Sequence, residues 1–329
     1  MQTRSIEETA ADVAALPASP AIHSQGLVKR YGSIVALDGL SMTVPRGEVF
    51  GFLGPNGAGT TTAVKLLVGL TRPSGGEGWV LGAPIGDREA RRRIGYLPEL
   101  FRYQDWLEAR EVLSLHCELA GIPRRRRAAE IAEALDLVGL TDRAGDRVGT
   151  FSTGMQQRLG LGVALLGGPE LVLLDEPTSA LDPVGRHDVR ELIRTLRARG
   201  TTVFLNSHML TEVEQVCDRV AVVDRGQVIA LGTMDELRGA DTLLRLRLGR
   251  VSEAALEALH RAGALDVEAD GYTLRGVGRD AVPGLVAQLV GLGCEVYAVE
   301  PRGQSLEDRF LELLGGNDAG ADNRAPHHS

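Results

Sequence analysis

Short apolar runs alternate with amphipathic runs over residues 22–237 of the chain. The apolar runs are typical of buried strands, and the amphipathic runs repeat with the period of a helix. Strands that alternate with helices predict an α/β domain with a doubly wound, mostly parallel sheet. The predicted strands are 22–31, 40–44, 49–53, 76–81, 170–174, 201–205, 219–223 and 227–231, and the predicted helices are 63–67, 87–93, 107–120, 124–138, 152–166, 184–199 and 209–216.

The pattern restarts near residue 239 with strands and helices in a different order. A strand over 242–248 is followed by a helix, two short strands, a second helix and a strand over 294–299. This order predicts a split, ferredoxin-like α+β unit. The pattern therefore divides the chain into disordered tails at 1–21 and 316–329, an α/β domain at 22–238, and a C-terminal accessory α+β domain at 239–315 that ends in a helix over 306–314.

Two helices inside the α/β domain, 107–120 and 124–138, are separated by Gly121-Ile122-Pro123. Gly and Pro end one helix and start the next. We expect this pair to form a helical subdomain, at about 100–150, that stands off the sheet.

The composition of the chain limits the partners and the cellular compartment that we expect. The chain has 329 residues and a net charge of −8, so no overall basic field attracts nucleic acid. Three widely spaced cysteines suit neither a disulfide framework nor a zinc site, and we expect buried free thiols in a reducing cytosol. The N-terminus does not resemble a signal peptide, and no apolar run is long enough to span a bilayer. We therefore expect a cytoplasmic protein that reaches a membrane only through a partner.

A glycine-rich stretch, Gly54-Pro55-Asn56-Gly57-Ala58-Gly59-Thr60-Thr61-Thr62, joins the apolar run 49–53 to the amphipathic run 63–67. Strand, glycine-rich turn and helix are the context of a phosphate-binding loop. Glycine allows tight backbone conformations, so successive N–H groups can face an anion at the positive end of the helix dipole. An ordinary tight turn is the alternative for this stretch taken alone.

The loop departs from the phosphate-binding motif at one position. The motif has lysine followed by Ser or Thr after its last glycine. Thr61 fits the hydroxyl that binds Mg²⁺, but Thr60 stands at the lysine position. Lys65 lies five residues further along the helix, on a different face from position 60, and we do not expect it to replace the missing lysine easily.

Two acids end a buried apolar run at Leu171-Val172-Leu173-Leu174-Asp175-Glu176. Ligands of open α/β sheets bind at the carboxyl ends of the strands. Asp175 can hold Mg²⁺ directly or through water, and Glu176 can polarise an attacking water. The alternative, a strand followed by an acidic helix cap, is disfavoured by the segment Thr178-Ser179-Ala180-Leu181-Asp182 that follows.

A second anion site is predicted at Ser152-Thr153-Gly154-Met155-Gln156, where Ser152 can cap a helix. Together with Asp175-Glu176, Asp182 and Ser207-His208, this segment closely resembles the nucleotide-binding subunit of an ABC transporter. The order and spacing of five motifs carry the resemblance, which extends from about residue 25 to 237.

The resemblance implies ATP and Mg²⁺ as cofactors and assigns roles within one chain. Tyr31 would stack on the adenine, and the loop 54–62 would wrap the phosphates. Thr61 and Asp175 would serve Mg²⁺. Glu176 would be the general base and His208 would contact the γ-phosphate.

The same resemblance implies a dimer in which two chains close head-to-tail around two ATP molecules. Ser152 and Gly154, in a segment that continues to Gln156, would cap the nucleotide of the opposite subunit. Asp182 would lie at the dimer interface. Each chain would therefore supply half of each site.

One further departure suggests a branch of the family. The family usually has Gln where Ile94-Gly95-Tyr96-Leu97-Pro98-Glu99 has Glu99. This form, and the final segment 305–313, resemble the ATPase subunits of bacterial exporters, among them drug and antibiotic exporters. Glu99 could still serve Mg²⁺ or water.

We therefore expect the ATPase subunit of an exporter that drives a separate membrane permease, with hydrolysis impaired by Thr60. A homodimer and a heterodimer with another ATPase subunit both remain open. The first alternative is a degenerate subunit that switches conformation without useful hydrolysis beside a competent partner. The second, a non-transport ABC-type ATPase of DNA repair or translation, is disfavoured because the chain has one set of motifs and no long heptad run.

Overall fold

The computed structural model describes residues 19–179, 181–238, 242–268, 271–303 and 310. The predicted tails and the predicted helix over 306–314 lie outside the described residues, except for positions 19–21 and 310. Within the described part, no helix combines the length and the hydropathy that a membrane crossing requires.

The elements follow the predicted alternation closely. The strands are β1 (Ile22–Tyr31), β2 (Ile34–Val44), β3 (Val49–Leu53), β4 (Gly75–Val80), β5 (Ala83–Pro84), β6 (Ile94–Leu97), β7 (Leu171–Asp175), β8 (Thr202–Asn206), β9 (Arg219–Asp224), β10 (Gln227–Thr233), β11 (Thr242–Gly249), β12 (Ala264–Glu268), β13 (Gly271–Arg275) and β14 (Glu295–Gly303). The helices are α1 (Thr60–Leu67), α2 (Arg88–Arg91), α3 (Ala109–Leu119), α4 (Arg124–Leu137), α5 (Thr153–Leu165), α6 (Pro183–Ala198), α7 (Leu210–Val216), α8 (Met234–Arg238), α9 (Glu253–Ala262) and α10 (Val282–Gly291).

A six-stranded sheet with the order β10-β9-β3-β8-β7-β6 forms the centre of the α/β domain. Every pair in it is parallel except β10–β9. All positions of β3, β7 and β8 are buried, which explains their continuous apolar runs. The mostly parallel core predicted from the sequence is confirmed.

The first strands form a separate antiparallel sheet with the order β2-β1-β4-β5, which the prediction of a single parallel sheet did not include. The turn Gly32-Ser33 joins β1 to β2, and Gly32 has a φ of 60°. So short a connection permits only an antiparallel pair, because parallel strands need a crossover of a dozen residues or more.

The strand β6 is absent from the sequence-based prediction, which assigns neither a strand nor a helix to 94–97. It is short, and Gly95 interrupts its apolar character. A Cβ at Gly95 would lie 2.0 Å from the carbonyl oxygen of Ala164, so the glycine lets α5 pack closely on this strand. The three helices α3, α4 and α5 pack on one another and share one apolar cluster with this side of the sheet.

The C-terminal sheet has the order β12-β13-β11-β14, with every pair antiparallel. Together with α9 and α10 this is the split α+β arrangement that the sequence predicts. This domain has an apolar cluster of its own, in which Leu246, Leu259, Leu274 and Leu289 are fully buried. The three cysteines are buried free thiols, as expected.

Candidate nucleotide-binding site

The loop between β3 and α1 has the backbone that its glycines predict. Gly57 and Gly59 have φ values of 87° and 97°, in the left-handed region. A Cβ at Gly59 would lie only 2.2 Å from the carbonyl oxygen of Ala36, so a side chain is excluded there. A hydrogen bond of 2.8 Å from the Gly226 N–H to the Ala58 carbonyl joins the loop to a residue distant in sequence. Gly54 and Ala58 are buried, Pro55 is half-buried, and Asn56 and Gly57 are exposed.

Thr60 is the first residue of α1, and Thr61 and Thr62 follow in its first turn. The Thr60 methyl group lies close to the start of the loop, because a Cβ at Gly54 would meet its Cγ2 at 3.0 Å. All three threonines are half-buried. The helix therefore starts with three neutral side chains where the phosphate-binding motif has one cation.

The sheet order brings the acidic strand end near this loop. The strand β8 lies between β3 and β7 and is parallel to both, so the segments that follow all three emerge at one edge. Asp175 is 1% exposed at the end of β7. Its Oδ1 accepts a hydrogen bond of 2.5 Å from Nδ2 of Asn206, while its Oδ2 is buried without a partner.

Burial raises the pKa of the Asp175 carboxyl above its ordinary value. The hydrogen bond from Asn206 lowers this pKa, the Glu99 and Glu176 carboxylates raise it further, and the Lys65 ammonium lowers it. A buried carboxylate oxygen without a partner is a suitable ligand for a hard divalent cation. The residues present thus fit the predicted Mg²⁺, which the Thr61 hydroxyl and Oδ2 of Asp175 would hold.

Glu176 makes a sharp turn directly after β7. Its φ is 52°, an uncommon conformation for a residue with a side chain, and its N–H donates to the Asn206 carbonyl at 2.9 Å. The carboxylate Oε1 accepts a hydrogen bond of 2.9 Å from the backbone N–H of His208, and Nδ1 of the His208 ring lies 2.8 Å from the same oxygen. The other oxygen, Oε2, is buried without a partner. The structure therefore brings the predicted base and the predicted histidine together.

Tyr31 ends β1 with 47% of its surface exposed. The Lys29 ammonium lies 4.8 Å from the centre of the Tyr31 ring and donates to the Arg72 carbonyl at 2.8 Å. An exposed aromatic ring is the kind of surface on which a purine stacks.

Glu99 follows β6 and is exposed. Burial raises the pKa of Tyr96 to about 12, and the carboxylates of Asp175 and Glu99 contribute to the rise. The Glu99 carboxylate is therefore close enough to Tyr96 and Asp175 to raise the pKa of both.

The segment that begins at Ser152 forms the N-terminus of another helix. Ser152 caps α5, and its Oγ accepts a hydrogen bond of 3.2 Å from the Met155 N–H. Ser152 is exposed, and Gly154 and Gln156 are half-buried. Whereas α1 packs against β2, β7 and β8, α5 packs against β6, α3 and α4. Within one chain, the two helix N-termini therefore belong to helices that pack against different strands and helices.

Asp182 caps α6 and accepts a hydrogen bond of 2.7 Å from the Gly185 N–H. Its side chain is exposed, as a residue at a predicted dimer interface has to be in a single chain.

Sequence reasoning missed two buried polar residues at this edge. Asn206 holds Asp175, and the Gln157 amide donates to the Pro177 carbonyl at 3.1 Å, which ties α5 to the segment after Glu176. Asn206 could have been found, because it is a polar residue that ends a buried apolar strand beside the predicted histidine.

Fold and site together define a phosphate-binding-loop nucleotide-binding protein, and comparison with known proteins narrows the class. A family model described as ABC transporter matches residues 37–179. An uncharacterized ABC transporter ATP-binding protein of Nostoc sp. is 41% identical over 287 residues, which cover 87% of this chain and 85% of the relative. The daunorubicin resistance ATP-binding protein DrrA3 of Streptomyces coeruleorubidus is 41% identical over 308 residues, with 91% and 97% covered.

A solved dimeric structure of MJ0796, a bacterial ABC transporter cassette, is similar in fold. It is 25% identical to this chain with a TM-score of 0.60, and the match covers 65% of this chain and 99% of that one. The chain belongs to the family of ABC transporter ATP-binding proteins. The predicted family is confirmed, and so is the resemblance to the drug and antibiotic exporter branch.

Proposed function

We propose that this chain is the ATP-binding subunit of an exporter and that it binds MgATP at a head-to-tail dimer interface. The observation that carries the proposal is the convergence of Asp175, Glu176 and His208 at one sheet edge next to the glycine-rich loop. Buried carboxylate oxygens without partners, on both Asp175 and Glu176, support a site that is completed by a metal ion and a water molecule.

The proposed reaction is hydrolysis of the bond between the β- and γ-phosphates. Oε2 of Glu176 accepts a proton from the attacking water, whose oxygen bonds to the γ-phosphorus as the bridging oxygen leaves with ADP. His208, held on Oε1 of the same carboxylate, presents its exposed ring to the γ-phosphate. Mg²⁺, when bound, offsets the charge of the phosphates.

The second half of each site comes from another subunit in this proposal. Ser152 and Gly154 lie at the N-terminus of α5, whose backbone N–H groups suit an anion. That helix packs against β6, α3 and α4 rather than against α1, so we assign its N-terminus to the nucleotide of a neighbouring chain. The MJ0796 cassette was solved as a dimer, which supports this arrangement.

The partner outside the dimer is a membrane permease, and the subunit works at the inner face of the cell membrane through it. DrrA3, a relative over almost the whole chain, is described as a resistance ATP-binding protein, which supports export as the process. The domain of residues 239–315 serves assembly or coupling in this proposal. It packs around an apolar cluster of its own, and all the proposed site residues lie in the first domain.

Thr60 makes hydrolysis weak in this proposal. The missing ammonium would offset charge on the β- and γ-phosphates, and a charge-assisted contact contributes roughly 1.5–3 kcal/mol, or about ten- to a hundredfold. The same residue favours a second candidate function, a degenerate subunit whose Ser152 and Gly154 complete the intact site of a different ATPase subunit.

Steady-state ATP hydrolysis by the wild type and by Thr60→Lys, measured in the same preparation, tests the proposal. We expect weak turnover that rises by roughly tenfold or more in the variant. Glu176→Gln in the Thr60→Lys background is the control and should abolish the gain. Brisk wild-type turnover that Thr60→Lys fails to improve would contradict the assignment of Thr60, and activity that survives Glu176→Gln would contradict the assigned base.

A further inference from the structure

Three arginines lie on one face of the helix α6. Arg190, Arg194 and Arg197 are spaced by four and three residues, which places them within about 60° of one another around the helix axis. The helix α6 packs against α7, which begins at Leu210, two residues after His208. The position of α7 on this face therefore bears on the position of the proposed histidine.

Two of the arginines hold the C-terminal end of α7. Nη2 of Arg194 donates a hydrogen bond of 3.1 Å to the Gln215 carbonyl, and Nη2 of Arg197 lies 2.6 Å from Oδ1 of Asp218. The other oxygen of Asp218 accepts a hydrogen bond of 3.0 Å from the Val49 N–H, so this end of α7 is also joined to the start of β3.

Arg190 holds the N-terminal half of α7, which is the part nearer His208. Its Nη1 donates to both carboxylate oxygens of Glu212, at 2.9 Å each, and the two side chains are only 16% and 8% exposed. A buried ion pair adds little net stability over apolar packing of the same volume, but its charge-assisted hydrogen bonds are directional. The pair of Arg190 and Glu212 therefore limits the orientation of α7 more than it stabilises the fold.

The ion pair lies between the two segments that carry the proposed base and the proposed histidine. A small cavity is lined by the ion pair and by three residues of these segments, Pro177, Thr178 and Ser207. The first two directly follow Glu176, and the third directly precedes His208. Because His208 contacts Glu176 through both its backbone N–H and its ring, a rotation of α7 would disturb both contacts.

We propose that Arg190 and Glu212 are positioning residues for hydrolysis, because their ion pair sets the orientation of α7 and thereby holds His208 on the Glu176 carboxylate. The inference rests on the proposed function. The phosphates are assigned to the loop 54–62, whereas the ion pair joins α6 to α7. The pair therefore acts on turnover and not on nucleotide affinity.

The test measures kcat and KM for MgATP, the affinity for fluorescent mant-ATP and the Tm, with the full chain carrying Thr60→Lys to raise turnover. Arg190→Met leaves the buried Glu212 carboxylate unpaired. Arg190→Met combined with Glu212→Met removes the ion pair without leaving a buried charge. Arg199→Met is the matched control, because it breaks an ion pair with Glu133 at the C-terminus of the same helix and also removes one positive charge.

We expect Arg190→Met and the double variant to lower kcat by about ten- to a hundredfold, as small misplacements of catalytic groups do, with little change in KM or mant-ATP affinity. Arg199→Met should behave like its parent. Arg190→Met should also lower Tm, and the double variant should regain it because no unpaired charge stays buried. Turnover that stays low while Tm recovers distinguishes positioning from stability, and the double variant decides the question if Arg190→Met does not fold.

A second comparison asks whether the pair acts through His208. In the His208→Ala background, the double substitution should cost little further turnover, because the contact that it disturbs is already gone. A further loss as large as that in the parent would overturn the positioning role.

Recovery of kcat together with Tm in the double variant would overturn the inference, and so would equal kcat values for Arg190→Met and Arg199→Met. Both outcomes would leave the proposed function intact. Absence of mant-ATP binding or of ATP turnover in the chain with Thr60→Lys alone would overturn the proposed function and this inference together.

Discussion

One oxygen of the Glu176 carboxylate, Oε1, is bonded to His208 twice. It accepts the backbone N–H at 2.9 Å and lies 2.8 Å from the ring Nδ1. Both contacts fix the carboxylate against the segment that follows β8 and leave the buried Oε2 free to accept a proton. The Glu176 backbone reaches this position only with a φ of 52°, so the turn after β7 holds an unfavourable conformation at the proposed base.

Glu176→Gln should therefore separate binding from hydrolysis. The amide oxygen can still accept from the His208 N–H, but the side chain no longer takes a proton, so turnover should fall by about 10²- to 10⁴-fold. An ATP-bound dimer should accumulate if binding survives, and sedimentation with MgATP measures it. Only monomers for wild type and variant alike, with the proper partner subunit present, would argue against the head-to-tail arrangement.

Tyr31→Ala should weaken ATP binding through the base rather than the phosphates. Stacking of a base on an aromatic ring contributes about 1–3 kcal/mol, which corresponds to about a five- to 150-fold loss of affinity. Tyr31→Trp keeps a flat ring and should retain binding. Displacement of bound ATP by adenosine and by inorganic triphosphate separates the contribution of the base from that of the phosphates. If triphosphate competes less well against the alanine variant than against the wild type, the adenine role of Tyr31 is wrong.

Asp175→Asn should stabilise the ligand-free chain at neutral pH. Burial holds the pKa of Asp175 above the value of about 3.9 of an exposed aspartate, so the folded chain binds the proton more tightly than the unfolded chain. Stability from this group is complete below about pH 4 and is lost as the pH rises through the raised pKa. The neutral amide avoids that loss and still accepts from Asn206.

The measurement for Asp175→Asn is thermal unfolding from pH 4 to pH 8. Each kcal/mol regained raises Tm by about 2–4 °C for a domain of this size. The advantage over the wild type should grow as the pH rises from about 4 and level off once the pH passes the raised pKa of Asp175. Mg²⁺ should add no further protection to the ATP-bound variant. A constant advantage at every pH would show that ionisation of Asp175 is not its source.

Much of the fold was predictable because burial and apolar sequence coincide in it. The strands β3, β7 and β8 are buried at every position, so their apolar runs were unambiguous. The strand β6 was not predictable, because Gly95 interrupts its apolar run. That glycine allows the close approach of Ala164, a residue distant in sequence. The antiparallel sheet of β1, β2, β4 and β5 depends likewise on pairings that periodicity does not encode.

The site was predictable at the level of residue type, because Asp175, Glu176 and His208 end or follow buried strands. Sequence pattern could not provide the partners. The hydrogen bond of Asn206 to Asp175 and the double contact of His208 with Glu176 both depend on β8 lying between β3 and β7. That strand order is a property of the folded sheet.

A truncation after position 239 should keep nucleotide binding and change assembly. The C-terminal strands and helices share an apolar cluster of their own, so their removal leaves the sheet that carries the proposed site complete. One described residue beyond them, Phe310, packs against the apolar cluster of the first domain, and its loss should lower stability. Phe310→Ala in the full chain is the matched control for that contact.

We expect the truncated chain to bind mant-ATP within about twofold of the full chain, as distant sites usually act independently. It should also show a lower Tm and a shifted dimer equilibrium. If the truncated chain stays folded by circular dichroism but loses ATP binding, while Phe310→Ala keeps it, the C-terminal domain contributes to the site and the proposed division of the chain is wrong.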